Sequence, residues 1–259
     1  MSPRPAQLSL YVRCKSNLLQ LPPFVLSTIF FGSLALAVSI FDGSGRWQHR
    51  VARVWARVSL WFSLATLKIV GAENLRKAPV AVYASNHTSY MDTPVLFSSL
   101  PFQFRILAKK GLWKIPFIGW YLSRSGQLPI DTSNTHASVS SLGASVKALR
   151  AGMPVLVFPE GGRTSDGELQ EFFSGAAYLA IRAQVPLVPI ALAGVYDLLP
   201  IHTRHFYPVP LTLVAGEPME TKGMNIRQVD ELTARLKAEI ENMLNSTAEK
   251  TDNLAANFC

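Results

Sequence analysis

The spacing of apolar positions changes character twice along this chain. Phe24 to Phe41 (FVLSTIFFGSLALAVSIF) carries no charge and is long enough for a membrane helix; Pro22-Pro23 precede it and Asp42-Gly43-Ser44-Gly45 end it. A signal peptide is the rival reading, but the run is long, starts late and is followed by no small-x-small cleavage site. From Trp47 to Leu67 the pattern is mixed. Arg46, Arg50, Arg53 and Arg57 recur at steps of three and four and form one helical stripe, while Val51, Val54, Trp55, Val58, Trp61 and Phe62 fill other directions. A basic helix with tryptophans suits a membrane interface, where arginine meets phosphate and tryptophan sits at headgroup level. An arginine-rich solvated face packed on the domain gives the same spacing. The two stretches together predict a membrane-anchoring helical hairpin over residues 1–66.

From about Leu67 short apolar runs alternate with amphipathic ones. The runs predict strands at Val80–Ala84, Phe104–Ala108, Gln127–Ile130, Val155–Phe158, Leu187–Leu192 and Leu211–Val214. Between them, Val139, Leu142, Val146 and Leu149 share one face of a helix over Ser133–Ala151, which Ser133 or Asn134 can cap and Gly152 with Pro154 ends. Further helices are expected over Phe172–Ala183 and Ile226–Leu244. This alternation predicts an α/β domain over 67–245, a largely parallel sheet flanked by helices, with a polar flexible tail at 246–259.

With 259 residues, 49% hydrophobic and 16% charged, the chain has ample material for a core and is not of disordered composition. Its formal net charge of +8 suits anionic partners such as membrane lipid headgroups, phosphorylated substrates or an acidic carrier protein. No motif supports a nucleic-acid partner. The two cysteines, Cys14 and Cys259, make neither a disulfide framework nor a thiolate metal cluster, which fits a reducing compartment. The segment from Leu198 to Pro210 that holds His202 and His205 has no acidic or thiol residue, so no metal site is expected there.

Two polar clusters each follow an apolar strand. The first, Asn86-His87-Thr88-Ser89-Tyr90-Met91-Asp92, puts ionisable groups at the carboxyl end of Val80–Ala84, where open α/β sheets bind ligands. On one regular helix, His87 and Asp92 would point roughly 140° apart. They can meet only if His87 lies in the turn and Asp92 at the start of the next helix. A histidine held by a carboxylate can take a proton from a hydroxyl near neutral pH. The second cluster is Pro159-Glu160-Gly161-Gly162-Arg163-Thr164. Its glycines let backbone approach a ligand, and Arg163 offers a planar fork for phosphate or carboxylate. Lys109 and Lys110, at the end of another strand, can hold a phosphate as point charges. No G-x-S-x-G element is present, which weighs against a serine lipase.

The ordered set His87-x4-Asp92, Phe158-Pro159-Glu160-Gly161-x-Arg163 and Val185-Pro186-x-Val188-Pro189 resembles the motifs of glycerolipid acyltransferases, in particular bacterial-type 1-acyl-sn-glycerol-3-phosphate acyltransferases, over roughly Leu67 to Val214. The resemblance implies transfer of a fatty acyl group from a thioester, acyl-CoA or acyl-carrier protein, to the free hydroxyl of lysophosphatidic acid, on the cytoplasmic face of the inner membrane. His87 would be the general base, Asp92 its orienting partner, and Glu160, Gly161, Gly162 and Arg163 with Lys109 would bind the glycerol phosphate. No metal or cofactor is implied, because a thioester is already activated. Two positions depart from the family pattern. Ser125-Gly126-Gln127-Leu128-Pro129-Ile130-Asp131 ends in Thr132 where arginine is usual, and Gly162 stands where threonine is common. The first leaves other acceptors open: glycerol 3-phosphate, a lysophospholipid or a lyso-aminolipid. A membrane adaptor without catalysis is a further alternative, although it would need no base–carboxylate pair.

Overall fold

The computed structural model describes residues 14–131, 138 and 141–256. Thr132, Ser133, Asn134, Val139 and Cys259 lie outside them. In chain order the helices are α1 (Leu21–Val38), α2 (Arg46–Ser63), α3 (Ala72–Lys77), α4 (Asp92–Ser99), α5 (Ile118–Arg124), α6 (Gly143–Arg150), α7 (Gly175–Ala183), α8 (Val195–Leu198) and α9 (Val229–Ala256). The strands are β1 (Leu67–Val70), β2 (Val82–Ser85), β3 (Arg105–Lys109), β4 (Leu128–Ile130), β5 (Val155–Val157), β6 (Leu187–Ala193) and β7 (Leu211–Ala215).

The apolar N-terminal run is helical from Ser16 to Val38, long and apolar enough to cross a membrane by length and composition, and almost none of it is buried. Asp42 builds the turn that follows, accepting from the backbone N–H of Ser44 and Trp47 at 2.8 Å each. The chain then returns as α2 alongside α1, where the Trp55 indole donates to Thr28 Oγ1 at 3.0 Å. The arginine stripe lies on the outer side of α2: Arg46, Arg50 and Arg57 are exposed and Arg53 half-buried. The adjoining face, reached across half-buried Arg53, carries the small residues Ala52 and Ala56 with Leu60, all in the core of the domain. Thus α2 is a core helix on one side and a basic, tryptophan-bearing surface on the other.

Among the described residues seven strands form one sheet in the order β1-β7-β6-β2-β5-β3-β4. All neighbouring pairs are parallel except β6 with β7. Both faces are covered, which is why the strands read as near-continuous apolar runs. Strand periodicity divides β2 between two cores. Tyr83 points into one with Leu60, Phe97, Phe104 and Phe206, while Val82 and Ala84 point into the other with Leu149, Leu179, Leu236 and Ile240. Each strand expected from sequence is present within two residues of its anticipated ends.

Three differences have local causes. The edge strand β1 pairs only with β7 and is a four-residue run too short to stand out after α2. The helix expected from Phe172 starts at Gly175, because Phe173 N–H donates to the Pro159 carbonyl at 2.8 Å and ties that residue to the turn after β5. The last helix begins at Val229 behind a short turn capped reciprocally by Asn225 and Gln228. It continues through Ala256, so the segment expected to be a flexible tail from 246 is largely helical; it holds neither Gly nor Pro to stop the helix.

Candidate active site

The middle of the sheet positions the site. β2 lies between β5 and β6, and its carboxyl end delivers Asn86 and His87. Asn86 stitches that end to β6: its amide donates to the Leu192 carbonyl at 3.0 Å and its oxygen accepts Leu192 N–H at 2.8 Å. His87 lies in the turn and Asp92 is the first residue of α4, the geometry that the five-residue spacing requires.

Asp92 is fully buried. One of its oxygens, Oδ2, gathers three donors: His87 Nδ1–H at 2.7 Å, Thr88 N–H at 2.7 Å and Ser89 N–H at 2.8 Å. The carboxylate therefore holds both the imidazole and the backbone that bears it. A carboxylate accepting from Nδ1 leaves the lone pair on Nε2, which makes no protein hydrogen bond among the described residues. The ring stacks on Phe158, with centroids 3.9 Å apart and planes 18° from parallel. Burial holds the His87 pKa below the ordinary imidazole value; the hydrogen bond and charge of Asp92 oppose this, and the Arg163 guanidinium adds to it. His87 is consequently neutral, and so competent as a base, at neutral pH.

The turn after β5 clasps the turn after β2. Thr164 N–H donates to the His87 carbonyl at 3.1 Å, and His87 N–H donates to Glu160 Oε1 at 2.5 Å. The other Glu160 oxygen accepts Gln170 N–H at 3.0 Å, so both oxygens of this buried carboxylate are engaged by backbone. Burial pushes Glu160 up to about 7 despite those bonds. In this geometry Glu160 fixes the His87 main chain, each of its oxygens accepting one backbone N–H.

Arg163 lies at the surface of the same turn. Its Nε–H donates to the Ser89 carbonyl at 3.1 Å and its guanidinium lies 4.5 Å from the centre of the Tyr90 ring. Those contacts hold the fork flat and leave its two terminal nitrogens without a hydrogen bond or ion pair among the described residues. Gly161 has φ +71°, and a Cβ there would lie 2.8 Å from the Phe173 ring, so this turn needs glycine. Gly162 has open space around the same position and carries no such demand. Lys109 ends β3, one strand beyond β5, exposed and with no contact that ties it to His87 or Arg163. Neighbouring Lys110 is paired with Asp131 at 3.0 Å.

Sequence reading thus anticipated the meeting of His87, Asp92, Glu160 and Arg163. It passed over the parts that hold them: the Asn86–Leu192 stitch, the Thr164 clasp, the Phe158 stack and the Tyr90 support. Position alone hints at these, since each lies within the two polar clusters or next to them. No group of three or more histidine, cysteine or acidic side chains able to hold a metal occurs among the described residues.

A family model described as Acyltransferase matches residues 66–193. A 1-acyl-sn-glycerol-3-phosphate acyltransferase of Pseudomonas aeruginosa is 30% identical over 219 residues, covering 82% of this chain and 83% of that protein. A chloroplastic 1-acyl-sn-glycerol-3-phosphate acyltransferase of Arabidopsis thaliana is 36% identical over 165 residues, 63% of this chain and 46% of that protein. The matched region thus spans about half the length of the chloroplastic relatives. In fold, the chain superposes on the crystal structure of a 1-acyl-sn-glycerophosphate acyltransferase from Thermotoga maritima with a TM-score of 0.74 at 23% identity, covering 93% of this chain and 98% of that one.

Proposed function

The chain belongs to the glycerolipid acyltransferase family, and we propose that it acylates the sn-2 hydroxyl of 1-acyl-sn-glycerol 3-phosphate, forming phosphatidic acid. The observation that carries the reading is the His87–Asp92 pair, 2.7 Å apart at the end of a central strand, with Nε2 left to act. Nε2 takes the proton of the acceptor hydroxyl as its oxygen attacks the thioester carbonyl. The tetrahedral intermediate collapses with cleavage of the C–S bond, and the imidazolium returns the proton to the departing thiolate. Asp92 fixes the tautomer and stabilises the imidazolium in between. Arg163, held flat over Tyr90 with two nitrogens free, suits the acceptor phosphate. Glu160 acts through the main chain of His87, and Lys109 adds positive charge one strand away. The donor is an acyl thioester, either acyl-CoA or acyl-carrier protein, and the net charge of +8 suits anionic donors and anionic lipids alike. The α1–α2 hairpin would hold the domain on the cytoplasmic face of the inner membrane.

The test is a purified full-length protein given each donor with a panel of lyso-acceptors, products being resolved by mass. Phosphatidic acid formed from lysophosphatidic acid in preference to other products is the expected result. The departure from arginine at Thr132 favours a second reading, the same chemistry on another acceptor. Preferential acylation of glycerol 3-phosphate, a lysophospholipid or a lyso-aminolipid would establish that reading instead.

A further inference from the structure

The segment between β3 and β4 has a surface that the catalytic reading does not use. After Lys109 the chain makes one tight helical turn (Lys110–Lys114), passes Pro116-Phe117 and forms α5. Leu112, Ile115, Ile118 and Trp120 are exposed here, between 37% and 62%. A soluble face seldom gathers such side chains together. From Phe102 to Ile130 the sequence contains no Asp or Glu, but it has Arg105, Lys109, Lys110, Lys114 and Arg124. Arg105 is engaged by the Ser44 carbonyl at 2.8 Å and Lys110 by Asp131, while Lys109, Lys114 and Arg124 are exposed.

This surface is joined to the apolar N-terminal helix. Phe117 adopts φ +69° and ψ −55°, a tight turn closed by Ile118 N–H donating to the Pro116 carbonyl at 2.8 Å, which costs a non-glycine residue energy and persists only where its surroundings hold it. Its ring lies against α1 at Gly32, where an added Cβ would come within 2.8 Å of Phe117 Cε1. Further along, Leu36, Ser39 and Ile40 line a shallow cavity of about 470 Å³ together with Trp120, Ser123 and Arg124. The exposed side chains Leu26, Ile29 and Phe30 of α1, and Phe41 next to Ile40, add further apolar surface on the N-terminal helix and the turn after it.

We propose that residues 110–124 form a second membrane-contact element, clamped to α1 through Phe117 and Gly32, which enters an anionic lipid leaflet beside the acceptor site. The occupant follows from two observations: the surface is continuous with a helix of membrane length and composition, and its free charges are all cationic. Apolar side chains enter the acyl region while Lys114 and Arg124 reach the headgroup phosphates. Because Lys109 lies immediately before the element, its charge is held at headgroup depth, on the edge of the sheet where β2 and β5 also end. This inference rests on the membrane part of the function proposed above and extends it from the N-terminal hairpin to the catalytic domain.

Depth-dependent quenching tests it directly. In full-length protein with Cys14→Ser and Cys259→Ser, an environment-sensitive fluorophore is attached at Ile118→Cys, Leu26→Cys or Glu231→Cys. The vesicles contain equal parts phosphatidylcholine and phosphatidylglycerol, with spin labels on the acyl chains. Labels at 118 and 26 should be quenched and the label at 231 should not. A label at 118 that stays unquenched while that at 26 is quenched overturns the proposal. The second arm is Ile118→Asn with Trp120→Asn. Acylation of a vesicle-borne acceptor should fall about tenfold, the effect of losing two partly inserted apolar side chains, while turnover of a water-soluble short-chain acceptor stays unchanged. Equal loss on both acceptors would make the segment a support of the site rather than a lipid contact, and would also overturn the proposal. If the unaltered protein acylated nothing, the function proposed above would fail, and the quenching arm would still decide this one.

Discussion

Replacing Asp92 by asparagine separates two jobs that one carboxylate performs. In the folded protein Asp92 Oδ2 accepts from His87, Thr88 and Ser89, whereas Oδ1 lies only near Thr88 Oγ1, at 3.5 Å. Two backbone donors favour an oxygen at the Oδ2 position, so the asparagine amide points its carbonyl there and its NH2 towards Thr88 Oγ1. The His87 tautomer is then retained and the lost quantity is charge. An imidazolium facing a carboxylate about 4 Å away gains roughly 4 kcal/mol at an effective dielectric constant near 20; exchanging a charge-assisted hydrogen bond for a neutral one gives a lower bound of about 2 kcal/mol. The expected loss in kcat/KM is therefore roughly 30- to 1000-fold. Asp92→Ala should also unfold more readily, by about 1–3 kcal/mol for each backbone N–H left buried without an acceptor. Thiol release from the donor, followed by absorbance, gives the rates, and thermal unfolding checks the fold. Since Asp92 also raises the His87 pKa, the acid limb of the Asp92→Asn profile should move to lower pH. Combined with His87→Ala, which alone should lose about 100- to 10,000-fold, Asp92→Asn should cause no further loss. Near-normal turnover of Asp92→Asn in folded protein, or losses that multiply in the double variant, would refute the coupling argued from this geometry.

Other consequences are as specific. Arg163→Ala should raise the acceptor KM by roughly one to two decades, the effect of losing a charge-assisted pair, and leave the donor KM nearly alone; Arg163→Lys should recover only part. Because the guanidinium depresses the His87 pKa, the acid limb of Arg163→Ala should move to higher pH, opposite to Asp92→Asn. Glu160→Gln offers one oxygen to two backbone N–H groups and should lower stability by about 1–3 kcal/mol, with kcat falling as His87 shifts. The folded-state pKa of Glu160 is raised to about 7 from 4.5, so this group's contribution to stability is full below about pH 4.5 and is lost as pH rises through 7; unfolding curves across that window should lose this slope in the glutamine variant. Gly162→Thr should be nearly neutral for activity and melting, whereas Gly161→Ala, at φ +71° against Phe173, should destabilise by about 1–2 kcal/mol.

The sheet was legible because its strands are buried on both faces and bounded by polar turns. Val155-Leu156-Val157 and Leu187 to Leu192 announce themselves without a partner in view. β1 was not legible, since Leu67-Lys68-Ile69-Val70 is a short, largely exposed edge whose identity depends on β7, far away in sequence. The antiparallel turn of β7 against β6 is likewise a tertiary fact, because both directions give the same apolar run. At the site, His87, Asp92 and Arg163 were readable from residue type and order. The use made of Glu160 was not: the resemblance implies a ligand of the glycerol phosphate, while the fold turns both oxygens onto backbone N–H groups 73 and 10 residues away. The outer face of α2 carries arginines and tryptophans as its spacing indicates, but only packing reveals that Ala52, Ala56 and Leu60 make the face beside the arginine stripe part of the core.

One measurement bears most directly on the central claim. Purified full-length protein and its His87→Ala variant, matched for folding by thermal unfolding, are given an isotopically labelled acyl thioester and 1-acyl-sn-glycerol 3-phosphate, and the product is identified by mass with positional analysis. The unaltered protein should form phosphatidic acid carrying the label at sn-2, and the variant should form it at least about a hundredfold more slowly. Equal rates from the two proteins, or a folded native protein that makes no labelled phosphatidic acid, would contradict the account.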